Sequence, residues 1–279
     1  MEFSVRPSVL TVVKVGISVG LQGAIALSAI AGIISMQRTQ LQKPSLWVEN
    51  PAQAQKQESL RLDLLSKAPS FGFDNLIADW AFLNFLQYYG DEEARSQTDY
   101  SLSPKYFDIV TQRDPRFADT YLFLSGTVSH QIGQPEQALT LMQRGMKTLS
   151  PQINSKAFAV WRFAALDQLL LLGDVPGAIH SLEMASNWSA QTQEYRDLAP
   201  VFKGSAAFLK TDPDSKLIRF QAWAAVYMQA GAMGDRKTQA RAKQEILALG
   251  GVEKVDEKGR PIFTLPQAAQ TPKKQTETP

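Results

Sequence analysis

A helix, a glycine followed by a polar residue, and a second helix recur along this chain, and the recurrence limits its fold more than any other feature. Tyr121, Leu124, Val128 and Ile132 fall at three- and four-residue spacing and share one stripe of a helix. Gly133 stops that helix, and the proline of Gln134-Pro135 suits the first turn of a second one. The second helix carries Ala138, Leu141, Met142 and Leu149 and ends before Pro151. The stretch from Trp161 to Ala185 repeats the plan around Gly173-Asp174, with Pro176 in the following turn. Gly133 to Gly173 and Ala138 to Ala178 are both 40 residues apart. Equal offsets inside two units predict an internal repeat of antiparallel helix pairs.

Two further copies are legible. One turns at Gly234-Asp235. Another turns at Gly90-Asp91, takes an insertion and resumes near Pro104, with Ser103 as an N-cap and Asp114-Pro115 as a stop. A helix over about 191–210 fills the wider gap before the last turn. Strand signals are scarce, so the expected fold is all-α. The exception lies at the end of the domain, where Val252, Val255, Ile262, Phe263 and Leu265 flank an Asp-Glu-Lys-Gly turn and predict a small β-hairpin covering the last repeat.

These residues resemble the tetratricopeptide repeat. Gly126, Gly133, Ala138, Gly145 and Pro151 in one unit, and Gly173, Ala178 and Ala185 in the next, follow that family's small-residue pattern. The resemblance covers about 73–250 and implies a TPR-like α-hairpin solenoid, a fold that binds protein partners. The period of 40 exceeds the family's usual length and implies a divergent member or a neighbouring α-hairpin solenoid in place of a regular array. PSFGFDNLIADWAFLNFLQYYGD and SLSPKYFDIVTQRDPRFADTYLFLSG also resemble membrane-anchored repeat proteins of cyanobacteria, which implies a thylakoid or plasma membrane location.

The N-terminus points to a membrane as well. Val15–Met36 is 22 residues without a charge, enough to cross about 30 Å of hydrocarbon as a helix. A cleaved signal peptide is the rival, since Ala29-Ile30-Ala31 resembles a cleavage site, but the apolar run continues beyond it. Arg6 and Lys14 nearly balance Arg38 and Lys43 across the run; a short stub before a long polar domain favours placing that domain on the lumenal or periplasmic side. The expected organisation is an anchor at 1–36, a linker at 37–59, a helical repeat domain at 60–265 and a disordered tail at 266–279.

Chemistry has little foothold. Lys+Arg 29 against Asp+Glu 27 gives a net charge of +2, too even for a nucleic-acid binder. Cysteine is absent, and the two histidines cannot make a His-rich metal site, so no cofactor or metal is expected. His180 and Glu183 share a helix face but lack further ligands, and His130 suits a helix end. Asp91, Glu92, Glu93 and Asp99 read as helix-start acids before they read as a hydrolytic or cation site.

The segment from Asp74 to Tyr89 is apolar nearly all round, with Leu76, Ile77, Trp80, Phe82, Leu83, Phe85, Leu86, Tyr88 and Tyr89. Such a helix is expected to be buried on most sides, the alternative being that a flank with Trp80 and Tyr88 meets a partner or the bilayer. The functional expectation is a non-enzymatic, membrane-anchored scaffold that grips a protein or peptide segment of a membrane complex, photosynthetic or other, during assembly. Candidate contact residues are Trp80, Tyr88, Asp119, Arg162, Asp167 and Gln168, the last four on first helices that line the groove in such repeats. A permanent accessory subunit and a hydrolase using the acidic loop near Asp91 are the alternatives.

Overall fold

The computed structural model describes residues 27–38, 46–257 and 259–266. It divides into two units, Met1–Asn50 and Pro51–Pro279. The first holds helix α1 (27–38) and the single turn α2 (Leu46–Glu49), with Leu27, Ile30, Ile33, Ile34 and Met36 of α1 exposed. Residues 15–26 of the expected span and 267–279 of the expected tail lie outside the described residues. Among the described residues no helix is long and apolar enough to cross a membrane.

The second unit is helical apart from one C-terminal hairpin. Its helices are α3 (Pro51–Lys67), α4 (Asp74–Gly90), α5 (Glu92–Gln97), α6 (Ser103–Arg113), α7 (Thr120–Leu124), α8 (Pro135–Thr148) and α9 (Phe158–Asp167), then α10 (Val175–Ala190), α11 (Ala199–Thr211), α12 (Lys216–Ala232) and α13 (Arg236–Ala248). α7 and α9 each run on into a π-helical segment, π1 (Ser125–Gln131) and π2 (Gln168–Leu172). Strands β1 (Val252–Val255) and β2 (Pro261–Thr264) pair antiparallel, Val252 opposite Thr264. Phe263 meets Tyr227 edge to face at 4.8 Å, so the hairpin covers the α12–α13 pair as its sequence suggests.

The turns follow from their residues. Gly133, Gly173 and Gly234 adopt φ of 61°, 70° and 71°, a region that a Cβ makes costly. Asp174 and Asp235 then cap the next helix, accepting from the Gly177 and Thr238 amides. Pro135 and Pro176 stand in first turns, where no donor is lost. The interior positions are equally legible: Ala138, Ala178 and Ala185 are fully buried. Gly145 is required by packing, because a Cβ there would overlap the Tyr121 ring, whereas one at Gly126 would meet nothing.

Several expectations need correction. Gly90 stays within α4, and the break falls at Asp91, which caps α5 through the Ala94 amide. Ser103 is buried inside α6 and caps nothing; its hydroxyl has no partner. The helix expected from 191 starts instead at Ala199, because α10 continues to Ala190; a short 3₁₀ turn at Arg196–Leu198 leads into it and Pro200 stands in its first turn, where no donor is lost. The linker shortens, since α3 begins at Pro51 and buries Ala54 and Leu62.

One arrangement is not legible in the sequence, and it concerns how the pairs are joined. α3 and α4 pack on α6, α6 on α8, α8 on α9, and α9 and α11 on α10. In an open solenoid each repeat would touch only its neighbours. Here α12 packs against both π1 and π2, so the last pair reaches past its neighbour. Trp223 Nε1 donates to the Leu171 carbonyl at 3.1 Å, and Thr238 Oγ1 donates to the Ile132 carbonyl at 3.1 Å. Arg241 bridges Glu136 at 2.6 Å. A helix end leaves carbonyls without partners, and two such ends are satisfied by side chains lying 52 and 106 residues further along. A π-type register recurs at the same place in both units, just before or at the bonded carbonyl.

Candidate functional site

The six residues singled out in the sequence separate into surface and interior groups. Tyr88 is interior: its hydroxyl donates to the Asp99 carbonyl at 2.8 Å and accepts from the Leu102 amide, while the Arg95 guanidinium lies 3.9 Å over its ring. Burial pushes its phenol well above the ordinary tyrosine range. Asp167 and Gln168 are also buried. These three therefore cannot line a free surface. Helix rotation decides this, and spacing alone does not report it.

Asp167 forms a polar strut between the two hairpins. It accepts from Ser125 Oγ at 2.8 Å and from Ser129 Oγ, and His130 Nε2 stands 3.4 Å from it. Both hydroxyls point at the carboxylate. Neither bonds the imidazole, so no serine is placed for activation by a base in this geometry. A fully buried carboxylate is tolerable because it is hydrogen-bonded on both oxygens. Gln168, with its amide oriented to satisfy both ends, donates to Ser181 Oγ and to the carbonyls of Ala164 and Gly177.

Asp119 and Arg162 face outward beside α9. Asp119 bonds Lys156 at 2.8 Å, which raises the Lys156 pKa, and both line a cavity of about 250 Å³ with Leu122, Phe158, Phe163 and Tyr195. Arg162 is exposed one turn further along, 5.3 Å from the Phe163 ring. At the other end of α9 opens a larger cleft of about 600 Å³, lined by Leu166 and Leu169, by Leu182 of α10, by Val201, Gly204, Ser205 and Phe208 of α11, and by Ile218 of α12. Its lining is almost wholly apolar. Val201 and Phe208 are each more than half exposed, and the small Gly204 and Ser205 between them leave the face of α11 flat, with nothing near the Cβ position of Gly204. The α11 residues were invisible as a site in the sequence, although Val201, Gly204, Ser205 and Phe208 sit at three- and four-residue spacing. A third cavity, of about 400 Å³ and more polar, lies where α8 and α13 begin, beside the Arg241–Glu136 bridge.

The remaining candidates have local explanations. His180 lies edge-on to Trp161, and Glu183 is held by Lys210 at 2.6 Å, which keeps its carboxyl below the usual range. Asp99 accepts from Gln55 and from the Ser101 amide. Among the described residues no three His, Asp or Glu side chains are grouped to hold a metal. Trp80 is exposed on α4, with the Arg61 guanidinium 4.4 Å from its ring centre. No family model, no curated protein and no solved structure matches the chain.

Proposed function

We propose that this chain is a membrane-anchored, TPR-like scaffold that holds a segment of a protein partner against the outer face of α9 and α11, assisting assembly of a membrane complex. The observation that carries the reading is the apolar cleft of about 600 Å³ between α9, α10, α11 and α12. A preformed apolar recess with a flat floor accepts the apolar side of a helix at little ordering cost. Asp119, Lys156 and Arg162 at the other end of α9 supply charge to fix direction and register. The anchor is Val15–Met36, whose uncharged length suits a bilayer and would concentrate the domain near membrane partners.

The test is site-specific photocrosslinking in native membranes from Val201 and Phe208, with Gln244 on the exposed side of α13 as control. One membrane protein crosslinked from the first two positions and not from the third, and lost on Phe208→Asp, supports the reading. Capture of assembly intermediates alone indicates an assembly role, and capture of one finished complex at fixed stoichiometry indicates an accessory subunit. Equal labelling from all three positions, or none, overturns it.

A further inference from the structure

One stripe of the exposed side of α4 is apolar, between polar flanks at Asn75, Asp79 and Gln87. Ala78, Ala81, Phe82, Phe85 and Tyr88 enter the core, while Leu76, Trp80 and Leu83, at the four- and three-residue spacing of one helical stripe, lie open to solvent. The loop leading into the stripe adds two aromatic rings. Phe71 is 85% exposed and Phe73 63%. Phe71 also holds φ at 50° and Gly72 at 90°, the left-handed centre of a turn closed by the Phe73 amide donating to the Ser70 carbonyl at 2.8 Å, which leaves the Phe71 ring in solvent. An apolar ridge of this kind is rare on a surface without an occupant.

We infer that this ridge, Phe71, Phe73, Leu76, Trp80 and Leu83, rests in the interfacial layer of the bilayer that carries the anchor. This rests on the anchoring reading above. Three observations select lipid over protein. The surface is a helix stripe continued by an exposed loop, and its side chains stand in solvent, Phe71 and Leu76 most of all. A peptide needs a recess, whereas a bilayer accepts a ridge.

The composition is interfacial. Trp80 carries the Arg61 guanidinium over its ring, and Lys67 is exposed four residues before Phe71. Apolar rings flanked by long basic side chains suit the boundary between acyl chains and phosphates. Of the neighbouring acids, Glu58 is held by Arg61, Asp63 by Lys105 and Asp74 by Arg113; Asp79 is exposed on one flank of the stripe. Finally, only residues 37–50 separate Met36 from Pro51, 14 positions counted along the chain. Whatever their conformation, 14 residues span at most about 50 Å, at about 3.6 Å each. That length bounds how far the domain can lie from a bilayer that holds the anchor, which raises the effective concentration for a weak apolar contact.

The chain has no cysteine, so single cysteines can report on the contact. Full-length Phe71→Cys, Leu76→Cys and, as control, Gln244→Cys are labelled with an environment-sensitive nitrobenzoxadiazole dye. Each is reconstituted in vesicles of phosphatidylcholine with a minority of phosphatidylglycerol. The expected result is blue-shifted emission at 71 and 76 that is largely lost when nitroxide-bearing lipid is included, with the label at 244 unaffected. Adding Phe73→Ser and Trp80→Ser should return the label at 76 to water-like emission.

Water-like emission at 71 and 76 in a chain that resists extraction by alkaline carbonate overturns the contact and spares the anchor. Quenched labels in a chain released by carbonate overturn the anchor and spare the contact, and release with water-like labels overturns both. Emission at 76 that shifts without lipid quenching and reverses on dilution with unlabelled chain assigns the ridge to a second copy. A shift seen in native membranes but not in pure lipid assigns it to another protein. Either of these overturns the proposal.

Discussion

Trp223 offers the sharpest test of how the helical pairs are held together. Its ring is buried where α12 meets π2, and its indole N–H is the partner of the Leu171 carbonyl. Trp223→Phe keeps most of the volume but leaves that carbonyl without a donor, a cost of about 1–3 kcal/mol. Trp223→Ala removes the ring as well and should cost about 3–5 kcal/mol. Thr238→Val, which strips the donor from the Ile132 carbonyl at the other turn, should cost about 1 kcal/mol. Urea unfolding followed by far-ultraviolet circular dichroism reads these as midpoint shifts. With a slope of roughly 3 kcal/mol per molar, Trp223→Ala moves the midpoint down by roughly 1–1.7 M. The transition should remain single, because the α12–α13 pair is tied to both earlier turns, and amide exchange should quicken at π1 and π2 together. An open solenoid behaves otherwise, its end pair melting on its own while the rest stays protected. A separate early transition in Trp223→Ala, with the π1 and π2 amides unchanged, would refute the closure.

Other consequences can be checked in the same way. Gly145→Ala should destabilise by about 1–3 kcal/mol, since the new methyl meets the Tyr121 ring on a facing helix; combining it with Tyr121→Leu should recover part of the loss in the same urea assay. Asp167→Ala should cost about 3–5 kcal/mol by stripping Ser125 and Ser129 of their acceptor, whereas Asp167→Asn, which keeps one acceptor, should cost less; equal stability of the two variants would contradict the strut. Burial raises the phenol pKa of Tyr88, Tyr106 and Tyr121 above the ordinary value of 10.0. The unfolded chain therefore ionises first, so the stability these groups contribute is complete below pH 10 and is lost as pH rises from there. Absorbance titration should show at least these three of the seven tyrosines ionising only with unfolding, and reversible titration of all seven near pH 10 in a folded chain would contradict it. At the acid end, Arg113 lowers the Asp74 pKa below 3.8, so the contribution of that pair is present above pH 3.8 and fades below it; Asp74→Asn should flatten the stability profile there.

The turns and the core faces were legible because each depends on a residue with few alternatives. Glycine followed by a capping aspartate reads directly as a left-handed stop and a new helix start, and Gly173-Asp174 and Gly234-Asp235 do so. The hairpin was legible from alternating apolar residues around a turn. Helix rotation was not. Asp167 and Gln168 fall beside Arg162 in sequence, yet a few residues along a helix of 3.6 residues per turn separate a solvent face from a core face. Tyr88 reads as a surface anchor beside Trp80, but eight residues on it is turned about 80° round α4, enough to carry it into the core. The α12–α13 closure was out of reach for a different reason. Its partners are backbone carbonyls, which every residue carries, so nothing in the sequence marks Leu171 and Ile132 as acceptors for Trp223 and Thr238.

That closure bears on the proposed cleft. Ile218, one wall of it, lies on the helix whose Trp223 is bonded to Leu171, and Leu166 and Leu169 of the opposite wall lie within the same α9–π2 rod as Leu171. The two walls are therefore fastened to one another by a buried hydrogen bond a short way along from the opening. In an open stack the width of such a gap would follow the small rotation between successive pairs and would change as the stack flexes. Here the width is set by a contact that has to break before the gap can alter. A recess held in this way loses little freedom when a partner enters, so an apolar segment of modest area can be retained there. The same bond makes the cleft dependent on residues that never touch the partner, and damage to the fastening at Trp223 should be felt at Val201 and Phe208.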